Sequence, residues 1–314
     1  MLEVFRTNQK TGKLATLQSL SKNSWINLVN PTEAEIKKVA KVLNIDETII
    51  RYSLDLDETA RVEFDEEYRL IIVNVPIIKK RSRHSHVATI AFGMLIVRDD
   101  FIVTICLEKM SFLDNFRNGK ESNFYTNKKS RFVIQLLSKV SICYLKTLNV
   151  INKDRESLED SLYKSTKNKD LIKLLNVDKS LVYMETSLKS NEAVLEKLLR
   201  GRIIKIYQDD EELLEDTIIE NKQAIETTHI YTEILSSTTE AFGTIISNNL
   251  NTVMKFLASI TIVFSVPTMI SSFMGMNVPL GMFSRSPFAF MIIIIISFIL
   301  SLLIAYILKK KDLL

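Results

Sequence analysis

The stretch FLASITIVFSVPTMISSFMGM, residues 256–276, contains 21 residues with no histidine and no charged side chain. The uncharged run continues to Ser284, and a helix needs about 20 mostly apolar residues to cross a bilayer. A second uncharged run, residues 286–308, is followed directly by Lys309, Lys310 and Lys311. The two runs predict a transmembrane helical hairpin with a short turn, at the carboxyl end of a chain that is otherwise rich in charge.

The composition of the 314 residues limits the classes of function. The net charge of +4 comes from Lys and Arg scattered among almost as many acids. We therefore expect no nucleic-acid binding, which needs clustered basic residues. No phosphate loop, nucleophile elbow or pair of catalytic carboxylates is present, so we do not expect an enzyme. No signal peptide is predicted at the start, and Cys106 and Cys143 are expected to be buried, reduced thiols.

Three regions differ in their sequence pattern. Residues 1–126 mix strand and helix signals, which predicts a cytoplasmic α+β domain of the α/β/α sandwich type. Residues 127–250 keep the spacing of helices almost throughout, which predicts a region of long stalk helices. Residues 251–314 form the transmembrane hairpin, with spans at about 256–276 and 287–308.

Within the first region, one helix has clear start signals. It is predicted at residues 33–43, after Thr32 or Asn30 as the cap and with acids in its first turn. A second short helix is predicted after Asp46. Alternating or apolar runs predict one sheet, with strands at 25–29, 60–64, 68–75, 86–97 and 101–106. Asp99 and Asp100 are expected to form the last hairpin turn.

The last long helix begins near Asp209 and meets no proline before Pro267. One small domain cannot bury such a helix, so we expect parallel copies of it around a common axis, that is, an oligomer. Lysines flank the two spans on one side, whereas the connecting turn carries only Arg285. The positive-inside rule therefore predicts a multi-pass protein of the cell membrane with both termini in the cytoplasm.

Polar and small residues in the first span fall on one helix face. They follow one another at steps of three, four or seven residues, as Thr244, Asn248, Asn251, Ala258, Thr261, Ser265, Thr268, Ser272 and Gly275. We call this set the polar stripe. It is compatible with tight packing through small residues and with the lining of a pore. We favour the pore because the stripe continues into Asn251 and Asn248, outside the apolar run.

Several of these features together resemble the CorA family of magnesium transporters. The resemblance rests on two spans at the carboxyl end, Gly275-Met276-Asn277 at the end of the first, and a lysine-rich tail. The approach to the membrane, residues 246–255, and the run Arg61-Val62-Glu63-Phe64 followed by Tyr68 are also similar. The resemblance implies a funnel-shaped homopentamer in which the first spans line a pore through the lipid bilayer.

The resemblance also implies roles for residues of the pore. Asn277 would form the outer ring that receives hydrated Mg²⁺, an ion that gives up its waters reluctantly. Asn251 matches a polar ring at the inner mouth, and Leu257 matches a hydrophobic constriction. Ser265 departs from the family pattern, which has a methionine constriction there, so Met269 or Met254 are candidates to replace it.

Family members sense cytoplasmic Mg²⁺ between subunits, and the acids of residues 209–216 are the candidates here. Asp216 falls on the stalk-side sensor position, while Asp209 and Glu212 lie in the same cluster. The partner acid would fall on Arg51 and Tyr52, which are not acids, so Asp55 and Asp57 are the expected substitutes. The alternative is an acid-rich helix start favoured by the helix dipole.

The function expected from these features is Mg²⁺ uptake down the electrochemical gradient, with Co²⁺ as a possible second cargo and Mg²⁺ as the regulator. A transporter of Co²⁺, Ni²⁺ or Zn²⁺ with the same fold is one alternative, although Met276 favours Mg²⁺. A membrane-anchored signalling or scaffold protein is the other. A simple anchor has no need of the polar stripe or of Asn277.

Overall fold

The structure is a computed structural model, and it describes residues 1–8, 12–81, 84–164, 168–201, 203–276, 288–311 and 313. It divides into two compact units, residues 1–236 and residues 237–314. Asn277 and Arg285, together with the rest of the turn between the two spans, lie outside the described residues.

The first unit is built on a mixed sheet of seven strands. The strands are β1 Leu2–Thr7, β2 Leu14–Thr16, β3 Ser24–Val29, β4 Arg61–Phe64, β5 Tyr68–Arg81, β6 His84–Val97 and β7 Phe101–Cys106. Their order across the sheet is β2-β1-β3-β7-β6-β5-β4. Strands β3 and β7 are parallel, and the other neighbours are antiparallel.

Seven helices complete the described part of the chain. They are α1 Glu33–Leu43, α2 Glu47–Tyr52, α3 Ser111–Arg117, α4 Lys129–Lys164, α5 Asn168–Leu199, α6 Gln208–Met274 and α7 Ala289–Lys310. The predicted start of α1 is confirmed, since Thr32 and Glu35 form a reciprocal capping box that satisfies two N–H groups of the first turn. Asp46 caps α2 by accepting from the N–H of Thr48 at 2.8 Å.

Helices cover both faces of the sheet, which confirms the predicted α/β/α sandwich. Successive side chains of a strand point to opposite faces. Ile26 and Leu28 on β3 join a buried cluster with the apolar residues of α1 and α2. Trp25 faces the other way and contacts Phe132 of α4, with ring centroids 5.2 Å apart.

The last hairpin is confirmed, although its turn lies one residue earlier than predicted. Arg98 and Asp99 both have positive φ, at 50° and 51°, and the N–H of Asp100 donates to the carbonyl of Val97 at 2.9 Å. Two central residues with positive φ match the right-handed twist of the strands that they join. The turn therefore holds β6 and β7 in register.

Strands β1 and β2 and helix α3 were not predicted individually. β1 is held by its pairing with β3, which lies some 20 residues later, through partners such as Val4 and Ile26. Met110, the residue in the N-cap position of α3, makes no side-chain cap hydrogen bond. β1 and α3 both lack the local start signals on which sequence prediction relies.

The prediction of buried thiols is confirmed for Cys106 but not for Cys143. Cys106 is fully buried, and burial raises the pKa of its thiol to about 12. Cys143 is partly buried, and burial raises the pKa of its thiol as well. Since the thiolate is the reactive form, both side chains are chemically quiet at neutral pH.

Candidate functional site

The second unit holds the two segments that are long and apolar enough to cross a membrane. They belong to α6 and to residues 290–310 of α7, with mean hydropathies of 1.8 and 3.0 in their most apolar windows. Only 6% and 11% of the residues in these most apolar stretches are buried within the chain. The apolar surface of both helices is therefore left for lipid or for other copies of the chain.

The polar stripe lies on a face of α6 that none of the described residues of this unit covers. All nine of its residues, from Thr244 to Gly275, are exposed. The partly covered side of the same helix carries Ser259, Val263, Val266 and Ile270, which follow one another at steps of four and three residues. With 100° per residue, this covered side lies roughly opposite the part of the stripe from Ala258 to Gly275.

Ser259 anchors the covered side. It is only 2% exposed, and its hydroxyl donates to the carbonyl of Leu313 at 2.6 Å. The contact ties the residues that follow α7 to α6. It also leaves the polar stripe turned away from that contact.

The hydroxyl groups of the stripe point their hydrogens inward. Thr261, Ser265 and Thr268 donate to the carbonyls four residues earlier, at 2.8, 2.7 and 3.0 Å. A hydroxyl oxygen that has donated its hydrogen still offers two lone pairs. These three hydroxyls therefore present hydrogen-bond acceptors rather than donors to whatever lies beside them.

Pro267 lies inside α6, between these hydroxyl residues. It has no N–H, so the carbonyl of Val263 loses its usual helical partner, and a proline at this position bends a helix. A shallow groove of about 580 Å³ lies along this part of α6 and includes Thr261, Ser265 and Thr268. Met269, the candidate replacement for a methionine constriction, lines the same groove.

The structure describes the inner end of the predicted pore face, and the outer end as far as Met276. Asn251 and Leu257 at the inner end are exposed, Leu257 by 55%. At the outer end, Gly275 and Met276 follow the last residue of α6 and are also exposed. Asn277 lies outside the described residues. The structure thus places all of the other predicted pore residues on the uncovered side of one helix and its end.

The acidic cluster at the start of α6 has one buried member and several exposed ones. Asp210 is buried and pairs with Arg131 at 3.0 Å. Asp209, Glu212 and Asp216 are exposed. Within the described part of one chain, no group of three His, Cys, Asp or Glu side chains is placed to hold a metal ion.

Asp55 and Asp57 lie in the turn after α2 and are exposed. The N–H of Asp57 donates to the carboxylate of Asp55 at 3.0 Å. The turn leads into β4, where Arg61 bonds to Glu58 and Glu63 at 3.1 and 2.7 Å. These contacts fix the backbone next to the two aspartates while leaving their carboxylates in solvent.

Glu63 links this network to the neighbouring strand. It accepts a hydrogen bond of 2.6 Å from the hydroxyl of Tyr68, and that bond raises the pKa of Tyr68 to about 12. Arg61 also stacks over the ring of Tyr52 at 4.6 Å. The run Arg61-Val62-Glu63-Phe64 with Tyr68 therefore has a structural role in joining β4 to β5.

Comparison with known proteins assigns the chain to a family. The sequence model of the family described as "CorA-like Mg2+ transporter protein" matches residues 21–310. The chain belongs to this family. The predicted resemblance to CorA is thus confirmed, and with it a family of membrane transporters.

Two relatives carry the name "Cobalt/magnesium transport protein CorA". The one from Methanocaldococcus jannaschii is 26% identical over 296 residues, which cover 91% of this chain and 90% of that protein. The one from Thermotoga maritima is 20% identical over 316 residues, or 99% of this chain and 89% of that protein. Both alignments extend over nearly the whole chain, so they include the soluble region and the spans.

Among solved structures, the complete CorA magnesium transporter from M. jannaschii has the same fold. The TM-score is 0.85 at 24% identity, and the match covers 99% of this chain and 98% of that chain. The fold class expected from the sequence, a soluble α/β/α domain followed by long helices and a terminal apolar helix pair, is confirmed by this likeness.

One residue of this CorA-like chain was missed by the sequence argument. Glu220 lies one helical turn after Asp216 on α6 and is half-buried. Its Oε2 atom is buried and has no hydrogen-bond partner among the described residues. Burial, followed by the charge of Asp216, raises the pKa of Glu220, while Ser138 and Lys139 act in the opposite direction. The spacing of two acids four residues apart was the available signal.

Glu220→Gln is expected to stabilise the protein at neutral and basic pH. The pKa of Glu220 is higher in the folded chain than its ordinary value of 4.5, so the folded state binds this proton more tightly than the unfolded state. The charged form therefore destabilises the fold above the folded pKa, and this penalty disappears as the pH falls below 4.5. The apparent unfolding temperature of the variant is therefore expected to exceed that of the parent protein at pH 8.

The measurement is the apparent unfolding temperature of both proteins in detergent between pH 4 and pH 8. Glu226→Gln, at an exposed position of the same helix, is the matched control and should change little. A gain from Glu220→Gln that stays constant across this pH range would contradict the assignment.

Proposed function

We propose that this protein is a homopentameric channel that carries Mg²⁺ into the cytoplasm, with Co²⁺ as a second cargo. The observation that carries the proposal is the polar stripe, an uncovered row of small and polar residues on α6 in which three hydroxyls present hydrogen-bond acceptors. Membership of the CorA family and the names of the two relatives support both ions. In this arrangement residues 1–126 are the cytoplasmic domain, 127–250 the stalk and 251–314 the membrane hairpin.

The acceptor row suits a hydrated divalent cation. Mg²⁺ holds its inner waters tightly, and those waters offer hydrogens outward. Hydroxyls such as those of Thr261, Ser265 and Thr268 already donate to the backbone, so their lone pairs are free to accept from the waters. Five such helices around one axis would form rings of neutral acceptors that pass the ion without stripping its shell.

The remaining pore residues take the roles expected of them. Asn277 forms the outer ring, next to Gly275 and Met276, and Asn251 forms the inner ring. Leu257 provides the hydrophobic constriction, which Ser272 and the other hydroxyl residues of the stripe connect to the outer mouth. With both termini in the cytoplasm, the membrane potential drives entry, by about 4.6 kcal/mol per 100 mV for a divalent ion.

Ion flux into proteoliposomes tests this function. Liposomes with the purified protein, an inside-negative potential and an internal Mg²⁺ indicator should show uptake that empty liposomes lack. Competition by Co²⁺, Ni²⁺ and Zn²⁺ then ranks the ions. A correctly assembled pentamer without flux of any divalent cation would leave the signalling or scaffold alternative standing.

Gating is proposed to depend on carboxylates that bind cytoplasmic Mg²⁺ between subunits. Asp216 on α6, with Glu220 one turn away and Asp209 and Glu212 nearby, supplies the stalk side. Asp55 and Asp57 supply the other side, because they are exposed on a rigidly held turn. Bound Mg²⁺ would link neighbouring subunits and hold the pore shut, and its loss would let the acids repel one another.

The double variant Asp55→Ala, Asp216→Ala is expected to lose most of its inhibition by internal Mg²⁺. The concentration that halves the flux should rise about tenfold or more, since each lost carboxylate removes a charge-assisted contact. The measurement is flux against internal Mg²⁺ concentration. Asp65→Ala, an exposed acid at the β4–β5 turn, is the control, and an unchanged inhibition curve in the double variant excludes these residues from the sensor.

A further inference from the structure

A cavity of about 520 Å³ lies in the first unit, where the start of α4 meets the segment before α6. Residues of β5, of the end of β6 and of the turn after it complete its wall. Among the described residues, the lining contains five basic side chains and three carboxylates. The basic residues are Arg69, Lys128, Lys129, Arg131 and Lys205. We call this space the basic cavity.

The two arginines already have carboxylate partners. Arg69 pairs with Asp99 at 2.8 Å, and Arg131 pairs with Asp210 at 3.0 Å. The Nε of Arg131 is nevertheless buried and lacks a hydrogen-bond acceptor among the described residues. One strong donor in the wall of the basic cavity is therefore still unused.

Among the described residues, none of the three lysines forms an ion pair with a carboxylate. Lys129 is only 8% exposed, and its ammonium donates to the neutral amide oxygen of Asn23 at 2.9 Å. Lys128 and Lys205 place their ammonium groups over the rings of Tyr125 and Tyr207, at 5.4 and 5.2 Å. A buried charge is costly, and burial lowers the pKa of Lys129, while the charges of Asp99 and Asp100 act in the opposite direction.

The helix that opens onto the basic cavity adds to this positive field. The first turn of α4 contains Lys129 and Arg131 and no acidic residue, although the helix dipole favours negative charge at that end. The first N–H groups of a helix also lack intrahelical acceptors and commonly bind anions. The side chains and the backbone therefore both favour a negative ligand at the same place.

We propose that the basic cavity binds the phosphate group of a small anion, at the start of α4 among Lys128, Lys129 and Arg131. Its volume is in the range of small-molecule sites, about 300–1,000 Å³, so there is room for more than a free phosphate ion. Tyr207 lines the cavity and is 55% exposed. Its ring offers a face on which the base of a nucleotide can stack.

Isothermal titration of the full-length protein in detergent tests the proposal. ATP, pyrophosphate and inorganic phosphate are titrated separately with EDTA present, so that binding does not depend on divalent cations. At least one of the three is expected to bind saturably, with a dissociation constant below about 1 mM. Tighter binding of ATP than of pyrophosphate assigns a nucleotide, and equal binding assigns a site for the phosphate groups alone.

The double variant Lys128→Ala, Lys205→Ala should weaken this binding about tenfold or more. Lys128 and Lys205 are both exposed, so the fold is retained when they are replaced. Lys37→Ala, Lys41→Ala removes the same charge from the exposed side of α1 and should bind as the parent does. Absence of binding by all three anions up to roughly 10 mM, or equal binding by the two double variants, overturns the proposal.

Discussion

Replacing Asn277 by alanine is expected to reduce Mg²⁺ flux by about tenfold or more. In the proposed pentamer, five amide groups at the outer mouth hydrogen-bond to the waters of the incoming ion. A hydrogen bond to a charged partner contributes about 1.5–3 kcal/mol, and 1.4 kcal/mol is a factor of ten in binding. Alanine removes all five groups at once and leaves no side-chain acceptor at that position.

The acceptors along the stripe do not compensate for this change. Ser272, the nearest hydroxyl residue of the stripe, lies five residues before Asn277, and in the proposed pore it acts only after the ion has passed the outer ring. Gly275 and Met276, which are nearer, have no side-chain oxygen. Recognition at the entrance therefore depends on Asn277 more than on any other single side chain.

The measurement is initial Mg²⁺ uptake into proteoliposomes at matched protein density, with the oligomeric state checked by light scattering. Asn249→Ala is the matched control, because Asn249 is exposed on α6 and lies outside the polar stripe. Its flux should stay close to that of the parent protein. Equal flux in Asn277→Ala and Asn249→Ala would show that the outer amide ring does not select the ion.

Trp25→Ala is expected to destabilise the soluble unit by about 3–5 kcal/mol. Trp25 is fully buried in β3. Its ring lies 4.9 Å from Phe5, 6.0 Å from Phe124 and 5.2 Å from Phe132, measured between ring centroids. It therefore joins β1, the segment before α4, and α4 itself.

The same side chain also organises a buried polar chain. The indole Nε1 donates to Thr104 at 2.8 Å, and Thr104 donates to Asn27 at 2.9 Å. Truncation leaves a cavity among rigid aromatic rings and removes the only indole in the sequence. The cavity and the loss of the indole hydrogen bond both lower the free energy of unfolding.

The apparent unfolding temperature in detergent should fall by on the order of 10 °C for Trp25→Ala. Trp25→Phe keeps most of the ring contacts and loses the bond to Thr104, so we expect a smaller decrease, of about 1–2 kcal/mol. If the two variants unfold at the same temperature, the ring contacts contribute less than the hydrogen bond.

The parts of the fold that were predicted are those with local signals. The capping box of Thr32 and Glu35 marks the start of α1, and the largely apolar runs of β3 and β7 mark buried strands. β1 lacked such a signal because its place depends on pairing with β3. α3 has no side-chain cap and begins with backbone contacts alone.

The candidate site likewise has features that could be predicted from the sequence and features that could not. The polar stripe follows from helix periodicity, so its exposure on one face of α6 was accessible from the sequence. The direction in which each hydroxyl hydrogen points depends on the backbone carbonyl that accepts it. The unpaired oxygen of Glu220 depends on α4, and the basic cavity depends on segments more than 70 residues apart. Contacts of this kind have no signature along the chain.

The sheltered state of Cys106 and Cys143 has a practical consequence for spectroscopy. The thiolate is the form that reacts with thiol-specific spin labels and fluorophores, and burial raises the pKa of both native thiols. A cysteine introduced at an exposed stripe position, such as Asn251→Cys, would therefore be labelled selectively against the native background. Interprobe distances between copies would then report the diameter of the inner mouth directly, in the presence and absence of Mg²⁺.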